Sequence, residues 1–404
     1  MMKELPAITG GRPVRGSMLP FSFPCIESDD IQAVIKSLKG EVLSMGQSVQ
    51  LFEQAFASYT GARYAVAVSS GAAGMHIALL AAGIGPQEEI IASPLTHTAS
   101  TNCILYQKAV PIFTDIDPST LTLDPEKVLI KISERTKAII ASHYGGFPCN
   151  LDLLAKIAEK HGIPLIEDAT RSLGAEYKGK MTGRYGIMGV YSFSGLQGVT
   201  TGEGGMVVTD DPETCQWLAL FRDNGMIRNR EKMTKYPGHW HVEMQDLGYN
   251  YRMTEMQAAL GLSQLEKANV FLKRRKDIAN KYNKAFRECS QLLTPVPLEG
   301  SSPSWDIYPL RIKPGLMKVS RTEIIEAILK ENIGVDVNYM PVHIHPYYIW
   351  VGHPDVCTLE GSLCPVAEEV YENLLCLPIY PAMTNSDTGD VISAVTRVIN
   401  YYSQ

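Results

Sequence analysis

The chain has 404 residues, 45% hydrophobic and 20% charged, the balance of a globular protein with ample apolar material for a core. A formal net charge of −6, with basic residues spread along the chain, argues against a general nucleic-acid or anionic-membrane binder. The eight cysteines (Cys25, Cys103, Cys149, Cys215, Cys289, Cys357, Cys364, Cys376) form no Cys-x-x-Cys pair and stand mostly beside apolar residues, which argues against a disulfide scaffold and against a structural metal.

The start, "MMKELPAITGGRPVRG", lacks an apolar run of signal-peptide length, so a cytoplasmic protein with an N-terminal arm over residues 1–25 is expected. "DDIQAVIKSL" then reads as a helix with an acidic first turn, and "VQLFEQAFASYTG" as a second helix closed by Gly. The uncharged stretch from Ala65 to Gly85 is long enough to span a bilayer. His76 and "SSGAAG" interrupt it, so strand "YAVAV", a turn and helix "MHIALLAAGIG" are the better reading. Apolar runs follow at "EEIIASP", "AVPIFTDI", "TKAIIASHY", "IPLIED", "MGVYSFS" and "GGMVVTD", several separated by helical patterns. Such alternation predicts an α/β domain over residues 26–269, its mostly parallel sheet covered by helices on both faces. Ligands of such sheets bind beyond the carboxyl ends of the strands.

From "TEMQAALG" to "KYNKAF" a long helical pattern predicts a spine, and "KRRK" at 273–276 reads as its solvated face. Strand "IYPLRI", helix "RTEIIEAILKEN", strand "GVDVNY" and a last helix from "SDTGDVISAV" predict a smaller α+β domain over residues 270–404.

Four stretches carry chemistry. "VSSGAAGMH" puts small residues between a strand and a helix N-terminus, where backbone N–H groups and the helix dipole can bind a phosphate, although tight turns want Gly for structural reasons too. "PLIEDATRSLG" ends a strand in Glu167 and Asp168, which alternation sends to opposite sides. An Asp there can hold a proton on a ring nitrogen, or simply cap a helix. In "YSFSGLQGVTTGEGG", Ser192 can bond a phosphate oxygen, and Gly202, Gly204 and Gly205 let the backbone pass close to a ligand. In "LGYNYRMTEMQAALG", Asn250 sits among aromatics before Thr254, a candidate N-cap.

Taken in order, these pieces resemble the DegT/DnrJ/EryC1/StrS family of sugar aminotransferases, from "FSFPCIESDD" to "CLPIYPAMTNSD". The resemblance implies the aspartate-aminotransferase fold (fold type I), with a seven-stranded sheet and pyridoxal 5′-phosphate (PLP) or pyridoxamine 5′-phosphate (PMP) as cofactor. It implies that Gly71 and Ala72 hold the phosphate, that Ser192 adds a hydroxyl, and that Asp168 pairs with the pyridine nitrogen. Asn250 would reach the cofactor of a neighbouring subunit, so a homodimer with shared sites is expected. His343, in "NYMPVHIHPYY", matches a residue near the sugar pocket. The reaction implied is amino transfer from L-glutamate or L-glutamine to a keto-sugar, usually nucleotide-linked, or a cyclitol.

The family's Ser-Phe-x-x-x-Lys motif here reads Ser192-Phe193-Ser194-Gly195-Leu196-Gln197, and no lysine lies between Lys180 and Lys232. Glutamine neither titrates nor serves as an amine nucleophile, so the covalent link to the cofactor is lost. The proton transfer lost with it is worth ~10²–10⁴-fold in rate. His97 stands where an aromatic residue commonly stacks on the cofactor ring. Arg171 stands where Gln or His commonly approaches its 3′-oxygen, and Ala72 replaces the usual Thr of the phosphate turn. Three readings compete: a Lys→Gln variant of an aminotransferase, a lysine-free PMP-dependent sugar dehydratase with His97 as base, and a non-catalytic cofactor- or sugar-binding paralogue.

Overall fold

The computed structural model describes residues 5–195, 197–351 and 361–403. Seven strands form the main sheet: β1 Tyr64–Val68, β2 Glu89–Ala92, β3 Val110–Phe113, β4 Thr136–Ser142, β5 Leu165–Asp168, β6 Met188–Ser192 and β7 Gly205–Thr209. Their order is β1-β7-β6-β5-β4-β2-β3. β7 pairs antiparallel with β1 and β6, and every other pairing is parallel. The strands β2, β3 and β7 are buried at every residue, as apolar strands covered on both faces must be. The expected α/β architecture, with its mostly parallel seven-stranded sheet, is present.

Among the described residues, nine α-helices accompany this sheet: α1 Ser28–Leu38, α2 Gln47–Thr60, α3 Gly71–Ala81, α4 Thr98–Tyr106, α5 Pro125–Lys131, α6 Leu151–His161, α7 Pro212–Arg222, α8 Glu255–Glu266 and α9 Ala268–Phe286. The uncharged stretch after Ala65 resolves into β1 and α3, as its interruption predicts. α3 buries eight of its 11 residues because it packs against the sheet on one side and α4 and α7 on the others. No helix among the described residues is long and apolar enough to cross a membrane.

A second sheet, β8 Leu292–Leu293, β9 Tyr308–Ile312 and β10 Leu374–Leu377, is antiparallel in the order β8-β9-β10. It shares a core with α9, α10 (Arg321–Lys330) and, after α11 (Pro346–Val351) and α12 (Pro365–Asn373), with α13 (Asn385–Tyr402). Tyr282, Phe286, Leu310, Ile328, Leu375 and Val395 are among its buried members.

Three expectations change. The long helical pattern is two helices, broken at Lys267, whose amine meets Asp29 (2.7 Å) and Asp30 (2.8 Å) of α1. "GVDVNY" forms a single bridge, Asp336 to Cys376, rather than a strand. "KRRK" is no solvated face: Arg274 donates from Nε to the Met383 carbonyl (2.9 Å), and Arg275 is buried. Cys357 lies outside the described residues, and the other seven cysteines are free thiols.

Candidate functional site

The turns that follow β1, β2, β5 and β6 meet in one cleft of about 550 Å³, beyond the carboxyl ends of parallel strands. Recesses of about 660 and 690 Å³ elsewhere on the surface contain none of the residues that carry the four motifs' chemistry.

The turn after β1 enters α3 through Ser70, whose hydroxyl accepts from the Ala73 N–H (3.1 Å) and caps the helix. Gly71 and Ala72, the first residues of α3, line the cleft, so their N–H groups belong to the four that no helical carbonyl satisfies. A Cβ at Gly71 would stand 2.7 Å from the Ser192 Cβ, so the absence of a side chain is what lets the serine hydroxyl close against the turn. Helix N-terminus and hydroxyl together make an anion cradle.

Behind Thr170, which lines the cleft, lies Asp168, 3% exposed. Its carboxylate accepts from Ser142 Oγ (3.0 Å), Thr170 Oγ1 (2.6 Å), the Thr170 N–H (3.2 Å) and, at 3.4 Å, Thr96 Oγ1. All four donors are neutral, and no cation pairs with it among the described residues. Glu167, one residue earlier, points the other way, to His143 Nε2 (3.0 Å) and the N–H groups of Gly183 and Gly186 (both 2.7 Å). The two carboxylates therefore point to opposite sides, as the alternation of β5 requires, with Asp168 on the side of Thr170.

His97 is the N-cap of α4 and lines the cleft. Its Nδ1 accepts from the Ala99 N–H (3.2 Å), which fixes the neutral ring with its proton on Nε2. Burial lowers its pKa, and the Arg171 charge lowers it further. Arg171 is paired to Asp306 (2.9 Å) and lies over the Tyr339 ring, 5.6 Å from its centroid. Burial opposes its charge, but Tyr339 and Asp306 outweigh this and raise its pKa, so it is a permanent cation. Gln197 lies beside it, donating from Nε2 to the Thr170 carbonyl (2.6 Å) and accepting from the Ser194 N–H (3.3 Å). No lysine is among the residues lining the cleft.

Gly71, Ala72, His97, Arg171, Ser192 and Gln197 thus line one cleft, and Asp168 is bonded to Thr170 of that cleft. Asn250 does not join them in its own chain: it is exposed, bridged to Asp223, and flanked by the stacked rings of Tyr249 and Tyr251. His343 also stays out. It is 1% exposed, its Nε2 is 2.7 Å from Glu368 Oε1, and its ring packs on Phe113, so its surroundings are those of a packed histidine. Its neighbour Tyr339 approaches the cleft instead, packing edge-on against His97. Sequence reasoning missed Tyr339, Asp306, Arg275 and the hydroxyls around Asp168. A signal for two of them exists: Asp306 is a lone charge in the apolar run "SWDIYPL", and Arg275 falls on the same helical stripe as Phe271, Ile278 and Tyr282.

A pyridoxal-type cofactor fits these residues. It needs an anion cradle for its phosphate and a counter-charge for its protonated ring nitrogen. The cleft has the cradle at Gly71, Ala72 and Ser192, and behind its Thr170 stands Asp168, a buried carboxylate with no cation paired to it among the described residues, an arrangement that is costly until a positive group meets it.

The sequence profile of the DegT/DnrJ/EryC1/StrS aminotransferase family matches residues 24–396. The chain is 40% identical over 387 residues to an uncharacterized protein of Methanocaldococcus jannaschii, covering 96% of this chain and 99% of that one. It is 39% identical to the spore coat polysaccharide biosynthesis protein SpsC of Bacillus subtilis, over 95% of this chain and 98% of that one. Among solved structures, the putative sugar aminotransferase Spr1654 of Streptococcus pneumoniae in its PMP form superposes with a TM-score of 0.88 at 25% identity, covering 95% of this chain and 99% of the other.

Proposed function

Because the chain belongs to the DegT/DnrJ/EryC1/StrS aminotransferase family, we propose that its cleft takes PLP or PMP and serves amino transfer from L-glutamate or L-glutamine to a keto-sugar, nucleotide-linked or free, or to a cyclitol. The observation that carries this reading is one cleft lined by the helix N-terminus at Gly71 and Ala72 and by Ser192, with the buried Asp168 carboxylate bonded to Thr170 of the same cleft. When bound, the cofactor supplies an electron sink at the carbon that exchanges nitrogen. The chain's own residues do the rest. The Gly71 and Ala72 N–H groups and the Ser192 hydroxyl bind the phosphate, and Asp168 keeps a proton on the ring nitrogen. His97 and Arg171 bound the ring, and Asn250 belongs to the site of a second copy in a cytoplasmic homodimer with a large domain over 26–269 and a small one over 270–404.

Gln197 can hold neighbours by hydrogen bonds but cannot take up or release a proton. The lysine-free dehydratase reading needs another base, and His97 is a poor one: its free nitrogen already serves the Ala99 N–H, and burial and Arg171 disfavour its charged form. Amino transfer with the lysine position interrupted is therefore favoured over deoxygenation; a silent paralogue that binds the cofactor would keep the same cradle, and the test below separates it.

The test is Gln197→Lys, supplied with PLP and L-glutamate, with 2-oxoglutarate release followed beside the unaltered chain. Release by the lysine variant, at ~10²-fold or more above the glutamine form, supports the reading. Equal failure of both, with cofactor bound, moves deoxygenation or silent binding ahead.

A further inference from the structure

The cation on the cleft wall is held from behind. Asp306, its side chain 4% exposed, stands between two guanidiniums: Oδ2 accepts from Arg171 Nη1 (2.9 Å), and Oδ1 lies 3.3 Å from Arg275 Nη2. Arg275 is buried at 7% side-chain exposure, and its Nε has no hydrogen-bond partner among the described residues. It packs directly under the loop that carries Gln197, where a Cβ at Gly198 would come within 2.4 Å of Arg275 Nη1. Tyr339 supports the same assembly, its ring 5.6 Å from the Arg171 guanidinium and 5.6 Å from the His97 ring.

Two guanidiniums against one carboxylate leave one net positive charge. Of the two, only Arg171 lines the cleft of about 550 Å³; its side chain is 22% exposed, and both guanidiniums border a smaller recess beside Ser192 and Gln197. An arginine fixed on one side by a carboxylate and an aromatic face, and open on the other, offers a planar pair of N–H donors to an oxyanion.

Resting on the cofactor reading above, we propose that Asp306 and Arg275 are positioning residues that fix Arg171 so that its open edge receives an anionic oxygen of the bound ligand. Two ligands of this site carry such an oxygen: the cofactor ring at its 3′-position and the amino donor at its α-carboxylate. Arg275 acts without touching the ligand. Its charge shares the Asp306 carboxylate, so Arg171 is held in place yet not fully neutralised.

The experiment titrates PMP and glutarate, an unreactive dicarboxylate, separately into the unaltered dimer, Arg171→Gln, Arg171→Lys and the double variant Asp306→Asn/Arg275→Met. The double variant removes one charge of each sign, so the cluster keeps its net charge while Arg171 loses its anchor. The pH midpoint of the bound PMP absorbance band is read beside the Kd. The expected result is that Arg171→Gln and the double variant weaken the same ligand by about tenfold or more. If PMP weakens and its absorbance midpoint moves to higher pH, the oxygen is the ring's. If glutarate alone weakens, it is the carboxylate. A double variant that folds and binds both ligands like the unaltered chain overturns the positioning role. Should that variant not fold, Arg171→Lys decides, because it keeps the charge and loses the two-point hold on Asp306; unchanged binding there overturns the proposal. Failure of the unaltered chain to bind PMP ends the cofactor reading itself, an outcome distinct from binding that no variant alters.

Discussion

His97 shows how one backbone contact limits what a side chain can do. Accepting the Ala99 N–H at 3.2 Å requires an unprotonated Nδ1, and burial and Arg171 lower the ring's pKa in the folded chain. A folded-state pKa below the unfolded value of about 6.5 means that the ring stabilises the fold above that pH, and that this contribution is lost as the pH falls below it. His97→Asn keeps a side-chain acceptor at the cap and does not titrate. Its thermal midpoint at neutral pH should stay close to that of the unaltered chain, and its loss of stability below pH ~6.5 should be shallower. His97→Phe removes the acceptor and should lose ~1 kcal/mol at neutral pH. Thermal melts of the three chains across this range check the point, and an Asn variant with an unchanged acid-side slope would remove the argument. The residue types at this site were legible because each motif ends a strand or starts a helix. Asp306 and Tyr339 were not, because they reach Arg171 from segments more than 100 residues further along, and no local pattern encodes that approach.

Helix α2 shows the same limit at the scale of elements. Its start is Gly46, which has no side chain to cap it. The cap arrives from α8: the Glu255 carboxylate, on a residue 5% exposed, accepts the N–H groups of Gly46 (2.8 Å), Ser48 (2.8 Å) and Val49 (3.2 Å). A carboxylate at a helix N-terminus satisfies orphan donors and meets the positive end of the dipole. Glu255→Gln offers a single acceptor oxygen and no charge, so at least one buried N–H is left unpaired. We expect a loss of about 1–3 kcal/mol by chemical denaturation, with faster hydrogen exchange at residues 46–49 than in the body of α2. Exchange that is faster everywhere to the same degree would show that the effect is global and not a cap. The sequence signalled α2 through its apolar spacing and Gly61, and α8 through Thr254, which does cap it. That α8 in turn caps α2 required the fold. The misread "KRRK" has a related cause: a charge cluster suggests solvent, whereas the 3.6-residue period places Arg275 among the apolar residues of α9.

For the whole molecule, the N-terminal arm joins the second sheet's core rather than the main sheet beside which it stands in sequence. Glu331, fully buried at the end of α10, accepts the N–H groups of Ala7 and Val14 (both 2.8 Å) and pairs with Arg397 of α13 (3.1 Å). Leu19 then bridges Ile333 in parallel, and Arg15 reaches Asp387 (2.7 Å) and Asp390 (2.6 Å). One carboxylate thereby joins three segments that are distant in sequence, and its charge is balanced by one guanidinium. Glu331→Gln keeps the shape but turns one oxygen into a donor facing a backbone N–H, and it removes the Glu331 charge from its contact with Arg397. Leaving a buried backbone N–H facing a donor costs about 1–3 kcal/mol, so the thermal midpoint should fall by a few degrees. Protease cleavage should also appear first within residues 5–19, where the arm has lost one of its two hydrogen bonds to this side chain. The cleft residues lie on the main sheet, so PMP affinity below the new midpoint should stay as it was. If the arm remains resistant to protease while PMP binding weakens, the arm is coupled to the cleft rather than to the second core, and the division of labour between the two sheets would have to be redrawn.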